Sequence, residues 1–348
     1  MHMADALISP VVGGVMWAAT AGIAGYSIKK VQPDMDKTKV PMMGVLGAFV
    51  FAAQMINFSI PGTGSSGHIG GGMLLASLLG PQAGFLTMMA ILLIQCLFFA
   101  DGGLLAYGAN VFNMGFITCF IVFPLVYKLI LKKGYTGKRL FLASFFSPVI
   151  ALQLGAFSVV LETLLSGKTA LPFGTFALMM QPIHLAIGVV EGLVTWAVLA
   201  FVWKTQPSLL AQQAMPQEAP RKNRFKTVMI TFAVAAVVVG GLLSWFASAY
   251  PDGLEWSLEK VTGSTEVAAS GGVYDAASHV QMQTAFMPDY SFKQGEGGEA
   301  AWPAVSGGTT TAGLLGGAMV LGLAGLTGGV IALTRRKKNK QAKAENVP

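Results

Sequence analysis

Charged residues are scarce in this sequence. Asp, Glu, Lys and Arg make up 11% of the 348 residues, whereas roughly 25% is usual in soluble domains. Hydrophobic residues account for 53%. So few charges do not cover the surface of a water-soluble chain of this length. The composition therefore excludes a soluble globular protein and predicts an all-α integral membrane protein.

Cysteines and the common catalytic motifs are also lacking. The only two cysteines, Cys96 and Cys119, lie in apolar runs, which excludes a disulfide framework and a cysteine-rich metal cage. The sequence contains neither the His-Glu-x-x-His motif of zinc proteases nor a Walker A motif for ATP. We therefore expect no enzymatic activity and no organic cofactor, so that any ATP hydrolysis belongs to another subunit.

A series of apolar stretches dominates what is present. Eight of them have, or nearly have, the length needed to cross about 30 Å of hydrocarbon. They are residues 10–28, 42–60, 84–99, 109–131, 140–165, 176–203, 228–249 and 312–333. A further run, residues 70–79, is too short to span and stops at Gly80-Pro81. We expect it to form a half-helix inside the bundle, where irregular backbone is tolerated.

The basic residues orient these stretches. If residues 70–79 and the following span together cross the membrane once, all but three of the 23 lysines and arginines lie on the same side of it. The positive-inside rule makes that side cytoplasmic. The N-terminus, the loop carrying His68 and residues 250–311 then face outward, and the C-terminus lies in the cytoplasm. The net charge of +7 is thus a topology signal, and we expect no nucleic-acid partner.

Composition also divides the chain into units. Residues 1–204 are expected to form a seven-helix bundle, residues 205–224 a cytoplasmic linker, and residues 225–348 a unit with two transmembrane helices. The last unit has an external segment, residues 250–311, and a basic cytoplasmic tail. Much of the external segment is Gly, Ser and Ala with an excess of acids, which is typical of a loosely ordered, solvated spacer. The alternative is that its acids raise the local concentration of cations.

The first two residues, Met1-His2, form a potential chelate. No basic n-region precedes the first span, so we expect no cleaved signal peptide and a mature chain that begins at Met1. The α-amine, the deprotonated amide nitrogen of His2 and the His2 Nδ1 atom are able to close two rings around one metal ion. His68 is the candidate for a fourth nitrogen, and a square plane of this kind suits Ni(II) or Cu(II). The alternative is an ordinary histidine on a frayed terminus.

Several stretches of the first unit resemble one known family. They are Met1-His2 with Asp5, Gly64-Ser65-Ser66-Gly67-His68, Ala100-Asp101-Gly102-Gly103 and Gly108-Ala109-Asn110-Val111-Phe112-Asn113-Met114. Together they resemble the metal-binding S component of energy-coupling-factor nickel/cobalt transporters, the CbiM/NikM family, over about residues 1–204. In the second unit, Pro251-Asp252-Gly253-Leu254-Glu255 is similar to the PDGLE-type signature of the small accessory N component, NikN-like, which some systems fuse to the M component.

The resemblance implies a substrate-capture subunit for Ni²⁺ or Co²⁺ in a prokaryotic plasma (inner) membrane. Its metal ligands would be the α-amine of Met1, the amide and Nδ1 of His2, and His68. Its partners would be a transmembrane T subunit (CbiQ/NikQ-like) and cytoplasmic ATP-binding subunits (CbiO/NikO-like). One position departs from the family pattern, since Ala6 stands where the family usually has Gly. If that Gly serves a turn with positive φ, the terminus must turn elsewhere.

Polar residues near the proposed ligands are candidates for orienting them, because a ligating imidazole usually donates its other N–H to a carboxylate or carbonyl. The alternative for each is an ordinary hydrogen bond between helices. The candidates are Asp5, Asn57, Asp101, Asn110 and Asn113. Two further residues in the stretch 176–203, His184 and Glu191, are expected to pair with each other, two helical turns apart.

Small residues line one face of the first span, among them Ala18, Gly22 and Gly25. Such a face allows close helix approach, and we expect it either to contact the T subunit or to pack within the bundle. Two other functions remain open: a metal channel, for which the spans carry few acids, and a metal sensor, for which no output domain is visible. Copper specificity in place of nickel or cobalt is also open.

Overall fold

The computed structural model describes residues 2–35, 38–168, 170–211, 224–292 and 302–345, and these are predominantly helical. The helices of the first unit are α1 (Pro10–Val31), α2 (Lys39–Gln54), α3 (Gly72–Leu79), α4 (Pro81–Phe99), α5 (Tyr107–Leu131), α6 (Gly137–Leu165), α7 (Phe173–Thr205) and the single turn α8 (Ser208–Ala211). Those of the second unit are α9 (Phe225–Gly241), α10 (Gly253–Thr262), α11 (Gly272–Thr284) and α12 (Gly307–Glu345). Strands β1 (Phe58–Ile60) and β2 (Ser65–Gly67) form an antiparallel hairpin between α2 and α3.

Six helical segments of the described chain are long and apolar enough to cross a membrane. They lie in α1, α4, α5, α6, α7 and α12. Helices α2 and α9 are apolar but have only 16 and 17 residues. The expected stretches 42–60 and 228–249 were too long, because β1 begins at Phe58 and a 3₁₀ turn covers Leu243–Phe246. The predicted all-α integral membrane fold is confirmed.

Helix α3 is the short helix expected within the bundle. All eight of its residues are buried. Gly80, with φ +85°, ends it, and Pro81 starts α4 at a position where its missing N–H is harmless. A Cβ on Gly72 would lie 2.8 Å from the Met114 carbonyl oxygen of α5, so only glycine lets α3 begin at this depth. The loop that carries His68 is thereby drawn into the protein interior.

The two units pack along their helices. Helices α9 and α12 lie against α2. At Gly44 of α2 a Cβ would lie 2.9 Å from the Leu321 carbonyl oxygen of α12, and at Gly47 it would lie 3.0 Å from Val320. Small residues at such crossings let the backbones approach closely where lipid supplies no hydrophobic driving force. Most of the expected linker, 212–223, is outside the described residues.

The external segment is more ordered than its composition suggested. Its described part contains α10 and α11, and both contact the first unit. The Trp256 indole donates to the Thr63 carbonyl at 3.0 Å, and the Tyr274 hydroxyl donates to the Ile8 carbonyl at 2.9 Å. The expectation of a loosely ordered spacer was therefore wrong for these residues. Helix α10 forms because Asp252 and Glu255 make a capping box, a local signal that overall composition hides.

The outer face of α1 has no helix of the described chain upon it. Ala18, Gly22 and Gly25 are exposed, and no atom lies within 4 Å of a Cβ placed on either glycine. The opposite face packs on α5, where the Thr20 hydroxyl donates to the Gly108 carbonyl at 3.0 Å.

This contact predicts unequal effects of alanine at two glycines. A Cβ on Gly108 would lie 2.5 Å from the backbone of Met16 and Trp17, so Gly108→Ala should lower the free energy of unfolding by about 1–3 kcal/mol through overpacking. Gly25→Ala, in open surroundings, should leave it unchanged or raise it by up to about 1 kcal/mol, because alanine favours helix. Thermal unfolding of both purified variants measures the difference, and equal midpoints would contradict the close approach of α1 to α5.

Candidate metal centre

The amino-terminal arm, residues 2–8, packs into the first unit, with Met3 and residues 6–8 buried and Ala4 exposed. Asn110 on α5 holds it through the backbone of Met3, since its Oδ1 accepts the Met3 N–H at 2.7 Å and its Nδ2 donates to the Met3 carbonyl at 3.1 Å. The Gly103 N–H donates to the same carbonyl at 2.8 Å. With its neighbour fixed on both sides, the His2 side chain is 6% exposed. His2 is therefore not on a frayed terminus, while Met1 lies outside the described residues.

The arm turns through a short 3₁₀ helix, Asp5–Leu7. Asp5 holds this turn by accepting the Ala106 N–H at 2.9 Å. Burial raises the pKa of its carboxyl group above the usual value. Ala6 lies inside the 3₁₀ helix, and its φ is negative. Alanine is therefore compatible with the turn, and the departure from the family pattern does not disturb it.

The loop carrying His68 is fixed from α7 and α2. The Glu191 carboxylate accepts the N–H groups of Gly70 and Gly71 at 2.8 and 2.9 Å. The Gln54 amide donates to the Gly70 carbonyl at 2.7 Å. The prediction that Glu191 pairs with His184 was wrong. The His184 Nδ1 atom lies 2.8 Å from the Met180 carbonyl oxygen of its own helix instead.

These two segments bring His2 and His68 together. Their rings are stacked with centroids 5.1 Å apart and planes at 17°. Burial, which disfavours the charged imidazolium, lowers the pKa of His2 to about 3 and that of His68 to about 4. Both rings are neutral at pH 7, the form that binds metal.

Side chains alone do not make a metal site here. Among the described residues, no group of three or more His, Cys, Asp or Glu side chains is arranged to hold a metal ion. The described side chains therefore contribute two neighbouring imidazoles, His2 and His68, and no larger group of such ligands.

Asp101 lies directly against the candidate ligands. Its Oδ1 atom is 3.2 Å from the His2 Nδ1 atom, and its Oδ2 atom accepts the Tyr290 hydroxyl at 2.6 Å. Burial raises the pKa of Asp101. Tyr290 belongs to the second unit, and sequence reasoning missed it because a lone tyrosine in a Gly-, Ser- and Ala-rich segment carries no pattern.

The other predicted polar residues act at greater distance. Asn110 orients the arm through Met3, and Asp5 holds the turn that follows. Asn113 donates to the Glu162 carboxyl group at 2.8 Å, and the Asn57 carbonyl accepts the Ser248 N–H at 2.7 Å. No described hydrogen bond joins Asn57 or Asn113 to His2 or His68.

The second unit covers the site. The Pro251 carbonyl accepts the Ser66 N–H at 2.8 Å, beside His68, and the Asp252 carboxylate caps α10 by accepting the N–H groups of Leu254 and Glu255. A cavity of about 640 Å³ remains between the units, and its lining includes His2, His68, Asp101, Asp252, Glu255 and Asp289. Acids from both units thus surround the approach to the imidazoles. Sequence reasoning identified the Asp252–Glu255 motif but not its place over His68.

Comparisons with known proteins match both units. Residues 2–209 match the family model described as the cobalt uptake substrate-specific transmembrane region, and residues 226–333 match the PDGLE domain. The fused nickel transport protein NikMN of Rhodobacter capsulatus is 31% identical, over 97% of this chain and 99% of the relative. The cobalt transport protein CbiM of Sorangium cellulosum is 30% identical, over 63% of this chain and 99% of the relative. A crystal structure of a transition metal transporter has a TM-score of 0.52 and 31% identity, over 59% of this chain and 93% of that one.

The Glu191 contacts generate a prediction. In Glu191→Gln one carboxylate oxygen becomes an NH₂ group, so either Gly70 or Gly71 loses its buried acceptor. The expected loss of stability is about 1.5–3 kcal/mol, the usual range for hydrogen bonds to charged groups, with weaker metal binding because the His68 loop loosens. Glu162→Gln is the matched control, since its amide oxygen still accepts from Asn113. Thermal unfolding and metal titration of both variants provide the comparison, and equal losses would contradict a special role for Glu191.

Proposed function

Because the chain belongs to the cobalt uptake substrate-specific transmembrane family and carries a fused PDGLE domain, we propose that it is the substrate-capture component of an ATP-driven energy-coupling-factor importer for nickel or cobalt ions. The observation that carries this proposal is the buried arm that brings the neutral imidazole of His2 against that of His68. The protein is a transport component and not an enzyme, and Ni²⁺ or Co²⁺ is its cargo.

The proposed ligands are the α-amine of Met1, the amide nitrogen and Nδ1 of His2, and a ring nitrogen of His68. Two observations support this set. The hydrogen bond between Asn110 and the Met3 backbone fixes the chain one residue after His2. The described part of the site also lacks a group of three or more side-chain ligands that would serve instead. An anionic amide nitrogen gives a strong in-plane field, which favours low-spin Ni(II) and also admits Co(II) and Cu(II). Binding should weaken in acid, because each of these nitrogens must give up a proton.

The second unit is proposed to enclose the cargo. Its capped helix α10 closes the face of the His68 loop, and its acids share the cavity above the site with Asp101. Carboxylates gathered around an opening concentrate cations there. This supports the interpretation of the external segment as a cation-attracting cover.

The transport energy is proposed to come from a transmembrane T subunit and cytoplasmic ATP-binding subunits. The exposed face of α1, with Ala18, Gly22 and Gly25, is the proposed contact for the T subunit. The proposed location is the prokaryotic plasma membrane, with the N-terminus outside and the C-terminus inside. A channel is less well supported, because Glu162 and Glu191, the acids within the spans, are engaged by Asn113 and by the Gly70–Gly71 backbone.

The chelate is tested by its dependence on a free first residue. Acetylation of the Met1 α-amine should lower the Ni²⁺ affinity about 100-fold, because the acylated nitrogen no longer donates a lone pair to the metal, while the thermal stability of the empty protein stays the same. His68→Ala should have nearly the same effect. His279→Ala, an exposed histidine of α11, is the control and should bind as the unmodified chain does. Calorimetric titration gives the affinities, and X-ray absorption distinguishes a four-nitrogen plane from an octahedral oxygen site.

Undiminished nickel binding by the acetylated chain would overturn the chelate. Competition between Ni²⁺, Co²⁺ and Cu²⁺ in the same titration decides among the metals.

The α1 face is tested separately. Gly22→Leu should leave Ni²⁺ binding by the purified chain intact but reduce its assembly with the T subunit, and therefore uptake, by about tenfold, the effect of losing about 1.4 kcal/mol of contact energy. Gly174→Leu on α7, also exposed and with no atom within 4 Å of an added Cβ, is the control. Co-purification and cellular uptake measure the effect, and normal assembly of Gly22→Leu would exclude this face.

A further inference from the structure

A second cavity, of about 350 Å³, lies at the opposite end of α5 from the candidate metal centre. Its wall is formed by α3, the carboxyl-terminal part of α5 and the loop that follows α5. The Tyr135 hydroxyl in that loop donates to the Leu210 carbonyl of α8 at 3.2 Å, which holds the loop in place. Pockets for small molecules have volumes of about 300–1,000 Å³. The cavity is therefore large enough for a ligand of that size.

Two lysines in the wall give this cavity a positive charge. Lys128 and Lys132 are about one helical turn apart, and the Lys128 Nζ atom lies 5.1 Å from the centre of the Phe123 ring, which also lines the cavity. Attraction between the ammonium group and the face of the ring keeps the charge beside the cavity. No Asp or Glu side chain lines the cavity, and neither lysine forms an ion pair within the described part of the chain. The wall therefore favours an anionic ligand.

Two hydroxyl groups belong to the same wall. Tyr127 of α5 is 2% exposed and Ser77 of α3 is 3% exposed. Neither side-chain oxygen makes a hydrogen bond of normal geometry among the described residues, although buried hydroxyl groups are ordinarily paired. A hydroxyl that donates to a phosphate oxygen forms a charge-assisted hydrogen bond, which is stronger than a neutral one. Unpaired hydroxyls beside two lysines thus indicate an oxygen-rich anion.

The apolar part of the wall continues onto the outer surface of α5. Leu129 lines the cavity and is 58% exposed, and Leu125, four residues nearer the middle of the span, is 62% exposed. A ligand with a hydrocarbon chain covers this surface, whereas a small soluble anion leaves it bare. The positive-inside rule predicts that this end of α5 lies at the cytoplasmic surface. Basic pockets between helices on that side of a membrane suit the head groups of anionic lipids.

We propose that this cavity binds one anionic phospholipid of the cytoplasmic leaflet, with its phosphate paired with Lys128 and Lys132 and an acyl chain along Leu129. The hydroxyl groups of Tyr127 and Ser77 donate to oxygens of the head group, so the lipid joins α3 to α5. This site is independent of the proposed chelate, because no residue of its wall lines the cavity beside the two imidazoles.

Substitutions in the wall test the site. Native mass spectrometry of the full-length protein in an uncharged detergent, titrated with phosphatidylglycerol, measures the affinity. Lys128→Gln combined with Lys132→Gln should weaken binding about 30-fold, since each lysine near an anionic head group contributes about fivefold. Tyr127→Phe should weaken it about tenfold, while the thermal midpoint of the lipid-free protein stays the same because no protein hydrogen bond is lost. Lys29→Gln combined with Lys30→Gln removes two exposed lysines of α1 outside the cavity and is the control, with unchanged binding.

The choice of ligand separates a phospholipid from other anions. Phosphatidylglycerol should bind at least about tenfold more tightly than phosphatidylcholine, whose head group has no net charge. Glycerol phosphate at equal concentration should not displace it, because it lacks acyl chains. Equal binding of phosphatidylcholine, displacement by glycerol phosphate, or undiminished phosphatidylglycerol binding by either cavity variant would overturn the proposal. If the double lysine variant keeps its lipid affinity but no longer co-purifies with the T subunit, the cavity is a protein contact and the lipid proposal fails.

Discussion

The hydrogen bonding of Asn110 to both backbone polar groups of Met3 is the constraint on which the site depends. A free chain terminus ordinarily frays, because few contacts offset its conformational entropy. Here an amide side chain on a packed helix pairs with the arm as a neighbouring strand would, and Gly103 adds a third bond. His2 has little freedom left. The conformational entropy lost by residues 2–8 is offset by contacts within the protein.

Part of this site was predictable from sequence because it depends on residue types that are rare in an apolar chain. In a chain with 11% charged residues, an acid such as Asp101 in an apolar context stands out, and the glycines around His68 indicate a backbone that passes close to other groups. The short buried helix α3 was predictable from its length. The limits of α2 and α9 were not, because hydropathy continues past the residues where the backbone leaves the helix.

The remaining features depend on neutral or backbone hydrogen bonds, which leave little trace in a sequence. Glu191 was expected to pair with His184, seven residues away, but binds two backbone N–H groups from a loop more than a hundred residues earlier in the chain. Gln54 donates to Gly70 and Gln95 donates to Gln54, and both lie near the carboxyl ends of apolar helices, where interhelical packing is the simpler interpretation. The signal that would have found them is the expense of burying an amide in a membrane-spanning helix without a partner.

The junction between the units shows how the cover is held in place. Of the described non-glycine residues, Ala100, Asp289 and Tyr290 have positive φ, and all three lie next to or opposite Asp101. Each such conformation costs about 1–2 kcal/mol in an ordinary residue, so the surrounding packing must offset it. The Tyr290 ring stacks on Phe99 at 4.9 Å, and Gln281 donates to the Gly102 carbonyl at 2.7 Å. Unfavourable backbone geometry persists where packing over-determines it, and such positions concentrate at functional sites.

The start of helix α10 packs closely against helix α7 of the first unit. A Cβ on Gly253 would lie 3.1 Å from Ile183 and from Ile187 and 3.2 Å from the His184 ring, so a larger residue at the first position of α10 would push the helix away. The glycine of the PDGLE-type motif thus lets the capped start of α10 lie against α7, while its aspartate and glutamate fix the cap. With this face closed at backbone distance, the described structure leaves the acid-lined cavity between the units as the space next to both imidazoles. Because carboxylates of both units line this cavity, the proposed cation approach is complete only when the second unit lies against the first.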